Sequence, residues 1–143
     1  LPDAVFAGHV HNYQRFTRVL HNREVPYIVA GGGGYWHLHK VEHHQGQQIT
    51  TPLTLDDPMA DSIADLEESQ RAGGHGGGTA GAKVRLDHYV DDRHGYLRLE
   101  VTPQVIRGEY FPVARPQEPW RTPSQRADSF VLDWHTHRLT HPH

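Results

Sequence analysis

Asp3-Ala4-Val5-Phe6-Ala7-Gly8-His9-Val10-His11-Asn12-Tyr13-Gln14-Arg15 is the stretch from which fold and chemistry are best inferred. Ala4 to Ala7 form a short apolar run bounded by Pro2-Asp3 and by Gly8. A run of that length without alternation predicts a strand covered on both faces, as in a parallel or sandwich sheet. The run leads through a glycine into two histidines spaced i and i+2. In extended chain such residues point to the same side, with their Cα atoms roughly 6.5–7 Å apart. Two imidazoles so placed suit two metal ions about 3.5–4 Å apart, one imidazole to each ion. Gly8 is expected to clear space where backbone approaches the metals or a bound anion.

Working outward, Val25 to Ala30 has the same apolar character and runs directly into Gly31-Gly32-Gly33-Gly34. Between the two runs, residues 12–24 suggest loop with a short strand near Phe16 to Leu20. Residues 35–56 lack periodicity and are expected to be irregular. Asp57-Pro58 offers an N-cap and a proline at the first helical position, and Met59, Ile63 and Leu66 share a helical face, which predicts a helix over 58–71. Gly73 to Gly81 holds six glycines in nine residues and predicts a flexible insert. Beyond it, Val84, Leu86, His88 and Val90 alternate with Arg85, Asp87 and Tyr89, and Leu97, Leu99 and Val101 alternate with Tyr96, Arg98 and Glu100. Pro103-Gln104 then turns the chain into Val105 to Phe111, and Ser129 to Asp133 supply a final strand. Residues 1–134 thus form one domain, and 135–143 a polar, histidine-rich tail expected to fray.

Composition narrows the function. Lys and Arg total 14 against 17 Asp and Glu, a formal charge of −3. That balance argues against a nucleic-acid partner, which needs a basic face. No stretch approaches the roughly 18 apolar residues of a membrane span, so no membrane partner is expected. The absence of cysteine excludes disulfides, thiolate metal sites and a cysteine nucleophile. The 14 histidines would carry the charge from −3 to as much as +11 if all were protonated, so solubility and metal binding should depend on pH between roughly 5 and 7. The start at Leu1, with no initiator Met and no signal core, suggests a piece of something longer.

The order of apolar strand, Gly8-His9-Val10-His11, Tyr13 and Arg15, then Tyr27-Ile28-Val29-Ala30 with its glycine run, resembles the C-terminal part of calcineurin-like metallophosphoesterases, in particular the purple acid phosphatase branch. His94-Gly95-Tyr96-Leu97-Arg98-Leu99 and Asp128-Ser129-Phe130 resemble that family's closing strands. Gln14 departs from the glutamate of its Tyr-Glu-Arg motif. The resemblance implies the C-terminal part of a four-layer α/β/β/α sandwich, an α/β class. It also implies metal-dependent hydrolysis of phosphate mono- or diesters at a binuclear centre of divalent or trivalent ions, with Fe, Zn, Mn and Mg all open. His9 would bind one ion and His11 the other, and Gly32 and Gly33 would place backbone near the site. The family's Asp-x-His, Gly-Asp-x-x-Asp and Gly-Asn-His motifs are not found in a matching context. The remaining ligands are therefore expected from an N-terminal part of the same domain, and this chain alone should hydrolyse phosphate esters negligibly.

Each residue also has a plainer role open to it. Arg15 suits a substrate phosphate as a bidentate donor, with Tyr13 beside it; alternatively Tyr13 packs beneath the loop and Arg15 pairs with a carboxylate. No Gly-Lys-Ser/Thr follows Gly34, which excludes a P-loop, and no Gly-x-Ser-x-Gly elbow is present. Tyr35 and Trp36 fit a substrate mouth or ordinary aromatic packing. His88 faces inward as a hydrogen-bonded core histidine. His37, His39, His43 and His44 motivate a rival function, a non-catalytic histidine-rich metal-binding module.

Overall fold

The computed structural model describes residues 2–20, 22–41, 47–56 and 83–142, and in these the chain forms nine strands. They are β1 (Val5–Ala7), β2 (Tyr13–Leu20), β3 (Arg23–Ala30), β4 (Leu53–Asp56), β5 (Lys83–Val90), β6 (Gly95–Val101), β7 (Val105–Pro112), β8 (Asp128–Asp133) and β9 (Arg138–Thr140). The first five make one sheet in the order β1-β3-β2-β5-β4, and the last four a second sheet in the order β6-β7-β8-β9. Every pairing is antiparallel except that of β1 with β3.

The expected four-layer α/β/β/α arrangement is therefore corrected: the described residues are all β, in two sheets, without a helix. The physical reason is visible in the residues themselves. Apolar residues alternate with period two through 84–90 and 97–101, and the helical layers came from the resemblance rather than from any helical periodicity there. The one helix expected from periodicity, over 58–71, and the glycine-rich insert at 73–81 lie outside the described residues.

The two sheets share one core. Tyr13 and Ile28 from the first sheet pack with Ile106, Tyr110, Phe130, Leu132 and Leu139 from the second. Tyr13 and Tyr110 stack across the gap with ring centroids 4.0 Å apart and planes 11° from parallel, an offset-stacked pair worth about 0.5–1.5 kcal/mol beyond its buried area. Gly108 faces Phe130 across the β7–β8 ladder, and any Cβ there would run into the Phe130 ring. Glycine at that point lets the aromatic lie flat over the strand.

Several local expectations shift. The β1 run is not covered on both faces: Phe6 is 43% exposed and Ala7 is exposed too, and among the described residues β1 pairs with β3 alone. β2 begins at Tyr13, three residues earlier than its apolar content suggests, because Tyr13, Arg15 and Thr17 all point into the core as buried alternates. β4 emerges from the stretch expected to be irregular. The tail does not fray throughout, since β9 pairs with β8 and Leu139 is buried in the core.

Candidate functional site

The parallel pairing of β1 with β3 decides where the site lies. Parallel strands end at the same edge, so the chain leaving β1 at Ala7 and the chain leaving β3 at Ala30 emerge side by side. The β1 exit carries His9 and His11; the β3 exit carries the glycine turn and then Tyr35, Trp36, His37 and His39. Gly31 marks the contact. Its N–H donates to the Asn12 carbonyl at 3.1 Å, and a Cβ there would collide with the Val10 carbonyl. The steric need for glycine thus falls on Gly31. A Cβ at Gly8 or Gly33 would meet nothing within 4 Å, and one at Gly32 would make only ordinary contact with Asn12.

The histidine pair is not presented on extended chain. The Val10 N–H donates to the Gly8 carbonyl at 2.9 Å and the Asn12 N–H to the Val10 carbonyl at 2.8 Å, while His9 takes φ 70°. Two successive three-residue turns therefore carry the pair, and a non-glycine residue in the left-handed region marks a backbone held by its surroundings. His9 is exposed and His11 half-buried.

Residues 37–39 are stitched to residues 11–12 by four hydrogen bonds. The His11 N–H donates to His39 Nδ1 at 3.1 Å, and the His39 N–H returns a bond to the His11 carbonyl at 3.1 Å. Asn12, itself buried, donates its side-chain amide to the His39 carbonyl at 2.9 Å. The His11 ring closes the set, with Nδ1 lying 2.9 Å from the His37 carbonyl. A carbonyl can only accept, so Nδ1 carries the proton and the lone pair of neutral His11 sits on Nε2. This carbonyl-oriented tautomer is the form in which an imidazole binds a metal. His39 is in the opposite state: its Nδ1 lone pair is taken by the His11 N–H, and its ring stacks on that of His11 at 4.5 Å and 7°. Partial desolvation, and then the neighbouring His11, His37 and His9, hold its pKa below the ordinary histidine value.

The next two residues singled out by sequence face the other way. Tyr13 and Arg15 are buried at 0% and 3% exposure. Arg15 grips Asp128 with Nε at 2.7 Å and its terminal nitrogen at 3.0 Å, and reaches Asp87 with its other nitrogen at 3.1 Å. The Tyr13 hydroxyl donates to Asp128 at 2.7 Å and Thr17 donates to Asp87 at 2.5 Å. Arg15 pairs with His88 and Phe16 with Leu86, so Asp87 is the extra residue of a β-bulge that aims its carboxylate at Arg15. Burial pushes the Asp128 carboxyl upward, but the Arg15 and Tyr13 hydrogen bonds and the Arg15 charge outweigh it and hold it below the ordinary carboxylate range. Burial, reinforced by Asp128, raises the Tyr13 phenol well above its usual value. The guanidinium is fully engaged inside the protein, where it ties β2 and β5 of one sheet to β8 of the other.

Among the described residues no group of three or more histidines and carboxylates is assembled that could hold a metal ion. Beside the loop, an open cleft of about 660 Å³ is lined by polar residues including Lys40, Gln48, Thr50, Tyr89 and Asp91. Its Asp91 is already engaged, accepting from the Val41 N–H at 2.9 Å with Lys40 at 3.7 Å. Sequence reasoning missed the engagement of His37 and His39 with His11, and it missed Asp87 and Asp128. Compared with known proteins, the chain matches no protein-family model, no curated protein and no solved structure.

Proposed function

We propose that this chain supplies His9 and His11 as ligands to a binuclear metal centre that hydrolyses phosphate mono- or diesters. The observation that carries the reading is the His11 ring, whose Nδ1 proton is fixed on the His37 carbonyl so that Nε2 has no hydrogen-bond partner among the described residues. The donor chemistry fits: neutral imidazole is a common ligand for Zn and Fe, and an outer carbonyl partner both orients it and raises its basicity. Two such ions, when bound, supply Lewis-acid activation of water and of the phosphoryl oxygens. The chain's own contribution is to hold two imidazoles at the rim, fix the tautomer of one, and brace the loop with Asn12 and residues 37–39. Two histidines do not fill two coordination spheres, so the reading requires further ligands from outside this pair.

The rival, a histidine-rich binding module centred on 37–44, is less favoured by the hydrogen bonds. His39 has its Nδ1 lone pair committed to the His11 N–H and serves here as a brace. His43 and His44 lie outside the described residues. Wherever the centre is assembled with its full ligand set, His9→Ala or His11→Ala is expected to lower metal content and hydrolysis of bis(4-nitrophenyl) phosphate together, by roughly a hundredfold in activity. Near-wild-type activity in either variant would overturn the reading. The 143-residue chain with added Zn or Mn is expected to show negligible turnover.

A further inference from the structure

The segment that braces His11 also carries two aromatic side chains that the core does not use. Trp36 is 81% exposed and Tyr35 58% exposed. Their rings are not scattered. Trp36 lies 5.1 Å from the His37 ring and 6.2 Å from the Tyr35 ring, and Tyr35 lies 4.5 Å from His11, tilted by 47°. A continuous row of rings therefore runs from solvent at Trp36, through Tyr35, to the imidazole with the free Nε2. Trp120 makes the comparison useful. It is equally exposed, at 82%, but its face is covered by the Arg121 guanidinium 4.6 Å from the ring centroid, and it lies near no other ring among the described residues. Trp36 has only tilted ring neighbours, His37 at 55° and Tyr35 at 39°, and no cation lies over its face among the described residues. An indole left open in this way is a stacking surface, since a flat π-face accepts any planar ring with little directional demand.

We infer that Tyr35 and Trp36 are specificity-determining residues of the site, forming a platform on which a planar ring of the esterified alcohol stacks. The site then favours phosphate esters whose alcohol bears an aromatic ring, whether a nucleobase or an aryl group, over esters of aliphatic polyols. The phosphate end of this inference rests on the phosphoesterase reading; the stacking end rests on the rings alone. Trp36 reaches His11 through a single intervening ring, so one small molecule can occupy both.

The test separates the two. The metal-free 143-residue chain, kept in EDTA, is titrated with adenosine 5′-monophosphate, phenyl phosphate and glycerol 2-phosphate, and the indole N–H resonances of Trp36, Trp120 and Trp134 are followed by NMR. The two ring-bearing esters are expected to shift Trp36 and leave Trp120 and Trp134 in place, glycerol 2-phosphate is expected to shift none, and Trp36→Leu is expected to weaken ring binding about tenfold. Tighter adenosine 5′-monophosphate assigns the platform to nucleobases, and tighter phenyl phosphate assigns it to aryl groups. A Trp36 signal unmoved by both, or moved equally by glycerol 2-phosphate, or a Trp120 signal moving as much, would overturn the inference. With ions absent, failure here leaves the phosphoesterase reading standing. Loss of that reading through the metal test leaves the platform standing.

Discussion

One short motif divides between two environments. His9 and His11 sit in an exposed loop held by backbone turns, while Tyr13 and Arg15, only two residues further on, are sealed between the sheets. Asn12 is the pivot: buried, it accepts from the Gln14 amide on one side and donates to the His39 carbonyl on the other. The difference teaches that a run of polar residues after an apolar strand can serve opposite purposes within one turn of chain. The first half leaves one imidazole exposed and the other half-buried at the rim. The second half turns the Tyr13 hydroxyl and all three Arg15 guanidinium nitrogens onto internal carboxylates.

Breaking the buried half should have the largest effect. Arg15→Ala strands Asp128 as an uncompensated buried charge and leaves Asp87 to Arg85 and Thr17, and the cost is expected to be about 3–5 kcal/mol by urea denaturation. Arg15→Lys should recover only a fraction, since an ammonium cannot hold both oxygens of Asp128 as the planar fork does. A loss below 1 kcal/mol on Arg15→Ala would show that the joint between the sheets is not electrostatic.

Acid sharpens the same contrast with a smaller effect. The folded pKa of Asp128 lies below its unfolded value near 3.9. A depressed carboxylate contributes stability that is fully present above the unfolded pKa and is lost as pH falls through the folded one. Stability is therefore expected to decline below about pH 4, and Asp128→Asn should flatten that part of the curve while lowering stability at neutral pH. An unchanged acid limb in Asp128→Asn would remove Asp128 from the account.

The exposed half should matter least to folding. His9→Ala is expected to change stability by no more than about 0.5 kcal/mol, and His11→Ala by about 1 kcal/mol through loss of the His37 bond. A larger loss for His9 would place it in the packing rather than at a site.

The parts of this division legible in sequence are those that depend on local pattern. The runs at 4–7 and 25–30 and the alternation at 84–90 and 97–101 mark strands because burial imposes its period on neighbouring residues. β4 and β9 escape because they are only four and three residues long and are defined by their pairing with β5 and β8. The His9–His11 spacing was visible; its bracing by His37 and His39 was not, because that depends on β1 and β3 running parallel. The partners of Arg15 lie 72 and 113 residues away, and strict alternation even assigns Asp87 to the outer face. The bulge reverses that assignment, and no residue type announces it.

The central claim is that the imidazoles of His9 and His11, and not the residues just beyond them, receive metal. Substoichiometric Mn²⁺ added to the chain, with paramagnetic broadening read residue by residue in NMR spectra, tests it directly. The account predicts that His9 and His11 broaden first while Arg15 and the residues around Asp128 stay sharp. Broadening confined to the histidines at 135–141, with His9 and His11 unaffected, would contradict it.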